Sequence, residues 1–171
     1  MEALFNDGAI ADDLFVKLRS YYENAAYNEM AKQAETDPHY DWGDGLNALI
    51  ISDRALGRAL GLYVYLSKIC SFKNVQFCAD IESIRDRLDN IIPDIIVYVG
   101  MQNNPVNYQA IPLARKMNSR VLIVMSAFLD GEVKYDCVNN GIRYAFSSAE
   151  NVRDGLLYLR EAFEDNRKCN A

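Results

Sequence analysis

Three apolar runs of this chain stop at residues able to do chemistry. Ala48-Leu49-Ile50-Ile51 runs into Ser52-Asp53, Val121-Leu122-Ile123-Val124-Met125 into Ser126-Ala127, and residues 142–146 into Ser147-Ser148. Hydroxyls fixed in place can donate to an oxyanion, and carboxylates can hold a divalent cation. Only Asp53 among these is acidic, and one carboxylate is a poor Mg²⁺ site because that ion wants several oxygen ligands in octahedral array. A fourth run, Ile95-Ile96-Val97-Tyr98-Val99, ends at Gly100 and brings no nucleophilic atom. No nucleophile–base pair is visible, and His39 is the single histidine. With Glu35, Asp37, Asp41 and Asp44 it fits no standard metal-ligand spacing and reads as a solvated acidic loop.

Each polar residue also has a plain structural use. Ser52 and Asp53 suit the cap of a following helix, as do Ser147 and Ser148. Ser126 can simply end a strand. Gly100 permits a positive φ, and Val99 adds apolar surface at a strand end. Asp94 begins the run that ends at Val99, so it lies roughly 17 Å from the far end and cannot act there. Asp130 lies in a loop beyond Ser126 and could approach the same place.

The elements that must position these residues follow from periodicity. Short continuous apolar runs at residues 48–51, 95–99 and 121–125, and largely apolar segments at 75–78 and 142–146, interrupted by Gln76 and Arg143, read as strands. Helical stripes lie between them, including Leu56, Leu60, Tyr63, Val64 and Ile69, and then Ile81, Ile84, Leu88 and Ile91. Tyr108, Ile111 and Met117 follow the polar loop 100–105, a short helix ends at the C′ glycine Gly141, and Val152, Leu156, Leu159 and Phe163 mark the last helix. Five β–α units in series predict an α/β fold with a doubly wound five-stranded parallel sheet in order 2-1-3-4-5. In such sheets ligands sit beyond the C-terminal strand ends, which is where Ser52, Asp53, Val99, Ser126 and Ser148 fall. Residues 1–46 form an expected N-terminal helical extension and acidic loop, with an amphipathic stripe from Ile10 to Ala25. Tyr40 and Trp42 are expected to pin that loop to the sheet domain.

The bulk properties narrow the function. Eighteen Lys and Arg against 24 Asp and Glu give a net charge of −6, the wrong sign for a nucleic-acid binder held by phosphate contacts. No apolar stretch reaches the ~20 residues of a membrane-spanning helix, and the N-terminus has no basic signal-like region. Four scattered cysteines suggest free thiols in a reducing cytoplasm. Tyr63, Tyr65, Tyr98 and Tyr108 are expected half-buried.

The ordered set resembles the receiver domain of two-component response regulators, the flavodoxin-like or CheY-like fold, over about two-thirds of the chain. Ser126-Ala127 looks like the family's Thr/Ser-Ala pair after strand four. Gly141 falls near its usual Gly-Ala, and Pro93-Asp94 resembles its Pro-Asp lead-in to strand three. Arg58, five residues after Asp53, sits where the family often places a polar or basic residue on the first helix. The resemblance implies a carboxylate at the end of strand three that takes a phosphoryl group, and two acids after strand one that hold Mg²⁺. It further implies a Ser/Thr after strand four and a Lys after strand five that bind the phosphate.

The chain departs from that pattern. The acceptor position falls on Val99, the first acidic position on Ser52, and the Lys position on Ser148. The vestigial pocket keeps one carboxylate, Asp53, and one hydroxyl, Ser126. The expectation is therefore a stand-alone, non-enzymatic pseudo-receiver at residues 47–165, with a tail at 166–171, no cofactor and no bound metal. Its partner would be another protein or a second copy, met through the N-terminal helix or the face of helix four, strand five and helix five, from about Lys134 to Leu159. A remnant of the family's strand-five aromatic switch would be Tyr144 or Phe146. The alternative is a small-molecule sensor using the crevice at the C-terminal strand ends. No phosphate-binding glycine fingerprint supports it, since Gly57 and Gly61 lie inside a helix.

Overall fold

The computed structural model describes residues 32, 41–52, 56–78, 81–100, 107–147 and 152–170. The helical reading of the N-terminal extension, the acidic loop around His39 and Tyr40, the loop 101–106, Asp53 and Ser148 lie outside the described residues.

The five expected strands are present: β1 (Asn47–Ile51), β2 (Asn74–Cys78), β3 (Ile95–Val99), β4 (Leu122–Ala127) and β5 (Tyr144–Ser147). All neighbours pair in parallel, in the order β2-β1-β3-β4-β5. The helices are α1 (Leu56–Val64), α2 (Ile81–Asn90), α3 (Ala110–Met117), α4 (Gly131–Asn139) and α5 (Val152–Cys169). A π-helical turn, Tyr65–Ile69, continues α1, and a 3₁₀ turn, Asn107–Gln109, precedes α3.

Strand alternation divides the core in two. Ala48, Ile50, Val97, Val99 and Val124 face a layer with Leu60, Leu66, Leu159 and Phe163 from α1, its π turn and α5. Leu49, Ile51, Ile96, Tyr98 and Met125 face a layer with Ile84, Leu88, Ala114, Val133 and Cys137 from α2, α3 and α4. β1, β3 and β4 carry apolar side chains toward both layers, which explains their unbroken apolar runs. Each fully buried Leu or Ile contributes about 1.5–3 kcal/mol relative to an exposed one.

Several details differ from the sequence reading. β4 runs on through Ser126-Ala127, and β5 starts at Tyr144 rather than Ile142, because the Ile142 amide donates to Cys137 O (2.8 Å) and closes α4. Ser147, read as a helix cap, is the last residue of β5. Tyr65, Tyr98 and Tyr108 are fully buried rather than half-buried, leaving Tyr63 as the half-buried one of the four. The Tyr98 and Tyr108 rings meet at a tilt of 52°, with centroids 5.1 Å apart, inside the second layer. Residues 166–169 continue α5, and buried Asn166 donates to Arg120 O (2.9 Å).

Trp42 does pin its segment. Its indole meets Phe72 edge-on at 5.1 Å and lies 5.4 Å from Phe163. Gly43 donates to Cys70 O (2.8 Å), and Asp44 bridges Phe72.

Candidate functional site

Parallel pairing sets the ends of the strands side by side. Val99 and Ser126 are register partners on β3 and β4, so their side chains share the face covered by α1. Gly100, at φ +65°, turns the chain sharply after β3 and donates its amide to Ser126 O (2.8 Å). That left-handed backbone suits glycine. Ser52 follows β1, is wholly buried, and donates its amide to Cys78 O (3.1 Å).

Arg58 rises from the first turns of α1 toward this edge. Its Nη2 donates to Ser126 Oγ at 2.8 Å. Ser126 is 1% exposed, and Arg58 is half-buried. Burial holds the guanidinium below its ordinary pKa, yet a guanidinium stays charged at any physiological pH. The described part of the site is thus a buried valine, two hydroxyls and a cation. No described residue supplies a carboxylate to Arg58.

Two of the described acids are engaged in other contacts. Asp130 is the N-cap of α4, its Oδ1 accepting from Val133 N (2.9 Å), so the carboxylate is held at the helix start. Asp94 accepts from Asn47 N (2.8 Å) through Oδ2 at the opposite end of the sheet. Among the described residues no group of three or more His, Cys, Asp or Glu could hold a metal ion. A divalent cation does not fit this described donor set, since the Ser126 hydroxyl is engaged by a fixed positive charge.

The structure therefore brings together Ser52, Val99 and Ser126, and leaves Asp53 and Ser148 outside what it describes. Sequence reasoning located Arg58 on the first helix but missed its bond to Ser126. The only available signal was a basic residue one helical turn or so inside a helix that starts at the sheet edge.

A second feature is apolar and exposed. Phe128 follows β4, and Tyr135 and Val138 lie three apart on α4, hence on one side of that helix. They are 67%, 67% and 79% exposed. On β5, Phe146 packs on Tyr158 at 5.7 Å, while the Tyr144 hydroxyl donates to Asp165 Oδ2 at 2.7 Å.

No known family's sequence pattern matches the chain, and no curated protein matches it. Solved structures share its fold. A CheY-like response regulator receiver domain protein from Methanospirillum hungatei JF-1 superposes with TM-score 0.57 at 15% identity, covering 73% of this chain and 98% of that one. A LuxR-family two-component response regulator from Aurantimonas sp. SI85-9A1 gives TM-score 0.57 at 12% identity, covering 71% and 87%. The response regulator domain of Thermotoga maritima CheB gives 0.53 at 18% identity, covering 71% and 96%. At these identities the likeness is one of fold: a receiver-like, five-stranded parallel sheet. No helix among the described residues is long and apolar enough to cross a membrane.

Proposed function

We propose that this chain is a regulatory protein of receiver fold that acts through protein–protein contacts and carries no phosphoryl group on an aspartate. One observation carries the reading: Val99, on which the receiver resemblance puts the carboxylate nucleophile, is a buried side chain at the end of β3, beside a serine whose hydroxyl is engaged by Arg58. A valine has no lone pair to attack phosphorus, and a guanidinium opposes the cation such a transfer uses. The contact surface is the α4 side, where Phe128, Tyr135 and Val138 stand in solvent. Exposed aromatic and aliphatic side chains in one region mark interaction sites, and aromatics are enriched there.

The test is incubation of the intact chain with acetyl phosphate and Mg²⁺ followed by intact-mass measurement. The expected spectrum shows unmodified protein. A phosphoryl adduct lost on mild hydroxylamine treatment overturns the reading.

A second reading, ligand sensing at the same strand ends, rests on Arg58. A cation beside a hydroxyl at that edge suits an anion, because helix N-termini of a parallel α/β sheet also point there. Saturable thermal stabilisation by a small anion, lost in R58Q, would favour it.

A further inference from the structure

The far end of the sheet carries a cleft that neither reading uses. The last turns of α3 and α5 and the turn after α4 meet there, at the N-terminal ends of β4 and β5. The cleft has a volume of about 350 Å³ and is lined by polar side chains that include Arg115, Ser119, Arg143, Asn166 and Asn170. A neighbouring cleft of about 630 Å³ shares Arg115 and Gly141 with it and is walled by Tyr108, Ile111, Pro112 and Lys116. Among the described residues neither is lined by a carboxylate, though Asp165 accepts from the hydroxyl of the lining Tyr144, in a chain with more acids than bases.

Cations near helix C-termini have an ordinary explanation, since they answer the partial negative charge of the helix end. That covers Arg115 and Lys116, in the last turn of α3. It does not cover Arg143, which belongs to no helix and stands exposed just before β5. Several of the helix-end carbonyls already have partners. Ala114 O accepts from Asn118 N, Asp136 O from Asn140 N, Cys137 O from Ile142 N and Asn166 O from Asn170 N. Arg115 gives one bond, from Nη2 to Gly141 O at 3.1 Å, and keeps the rest of its fork. Gly141 sits at φ +66°, a left-handed backbone that suits glycine, and the Arg115 guanidinium lies along that turn. Among the described residues, nothing accepts a hydrogen bond from the Arg143 guanidinium or the Ser119 hydroxyl.

We propose that this cleft binds the phosphate of a small phosphate monoester, whose uncharged body lies in the adjoining cleft. Two guanidinium forks and a hydroxyl supply more donors than a carboxylate can accept from, whereas a phosphate has three terminal oxygens for them. Both volumes lie in the range of small-molecule sites, and Tyr108, Ile111 and Pro112 give the second cleft the apolar wall that a nucleoside or sugar ring needs. The proposal goes beyond the partner-binding reading and stands whether or not that reading does.

The test uses the intact chain, titrated calorimetrically at matched ionic strength with inorganic phosphate, adenosine monophosphate and adenosine. Adenosine monophosphate is expected to saturate the site more tightly than inorganic phosphate, with adenosine far weaker. R143Q touches no described partner and should leave the melting temperature unchanged while weakening adenosine monophosphate by about tenfold or more, the loss expected for a charge-assisted bond. R115Q should weaken adenosine monophosphate comparably, and R58Q should not. Absence of saturable binding by phosphate and adenosine monophosphate at millimolar concentration overturns the proposal, as does undiminished affinity in R143Q. Adenosine binding as tightly as its phosphate overturns it too, because the phosphate would then not be the anchor. Equal affinity for phosphate and adenosine monophosphate overturns the assignment of the adjoining cleft.

Discussion

Arg58 and Ser126, 68 residues apart in sequence, are joined at the C-terminal edge of the sheet by a 2.8 Å hydrogen bond from guanidinium to hydroxyl. The bond ties α1 to β4 across β1 and β3. It also holds a positive charge at that edge.

Removing either partner should be felt by the other. S126A leaves a half-buried guanidinium short of an acceptor, and R58M leaves a buried hydroxyl short of a donor. Each should cost on the order of 1 kcal/mol. The double variant should cost less than the sum, with a coupling of roughly 0.5–3 kcal/mol, because the two losses are one bond. Urea midpoints of the four proteins measure it; strict additivity would mean that the bond contributes nothing in solution.

The four cysteines should separate cleanly by reactivity. Cys169 is exposed, whereas Cys70, Cys78 and Cys137 are buried. With a thiol reagent at neutral pH one cysteine should react at once and the others only on unfolding. C169S should remove the fast phase. Fast reaction of two or more cysteines in the native protein would contradict this core.

Alkaline pH should destabilise the fold through Cys70. Burial pushes its thiol up from 9.0 to about 12. The group is protonated when folded but ionises more readily when unfolded, so its contribution is present below pH ~9 and is lost as pH rises toward ~12. The denaturant midpoint should therefore fall through that window, and C70A should flatten the fall relative to the parent chain.

Gly43 should resist substitution more than its place in a loop suggests. A β-carbon there would lie 2.0 Å from Phe72 Cδ2 and 2.7 Å from the Cys70 carbonyl oxygen. The ring is wedged against Trp42 and the carbonyl is backbone, so both must shift. G43A should cost about 1–3 kcal/mol, as overpacking does, and thermal unfolding would show it.

The exposed side chains of α4 should behave in the opposite way. Y135S and V138D should each change stability by no more than ~0.5 kcal/mol, because little packs against them. A loss above ~2 kcal/mol would show that they belong to the fold and not to a contact surface.

Much of the fold was legible because the three central strands are short apolar runs, and a parallel sheet covered on both faces demands that pattern. Strand ends were less so. Ile142 reads as strand by composition, but its amide closes α4, a hydrogen bond that periodicity does not encode. Asp130 likewise looked free to reach the strand ends, and its carboxylate instead caps α4. Of the site, Val99 and Ser126 could be placed by counting from their strands. Arg58 could not be joined to them, because the reach of a long side chain across two strands depends on how α1 is set over the sheet. The cleft at the other end had no sequence signal at all. Its arginines, serine and asparagines come from α3, the approach to β5 and the end of α5, and share no spacing.

Val99 has a consequence in time. An acyl phosphate stores a signal until it is hydrolysed, so the protein bearing it has a memory and a clock. A buried valine at that position stores nothing. Under the reading proposed above, the state of this chain lasts as long as its partner or ligand stays bound, and dissociation alone sets the duration of the signal.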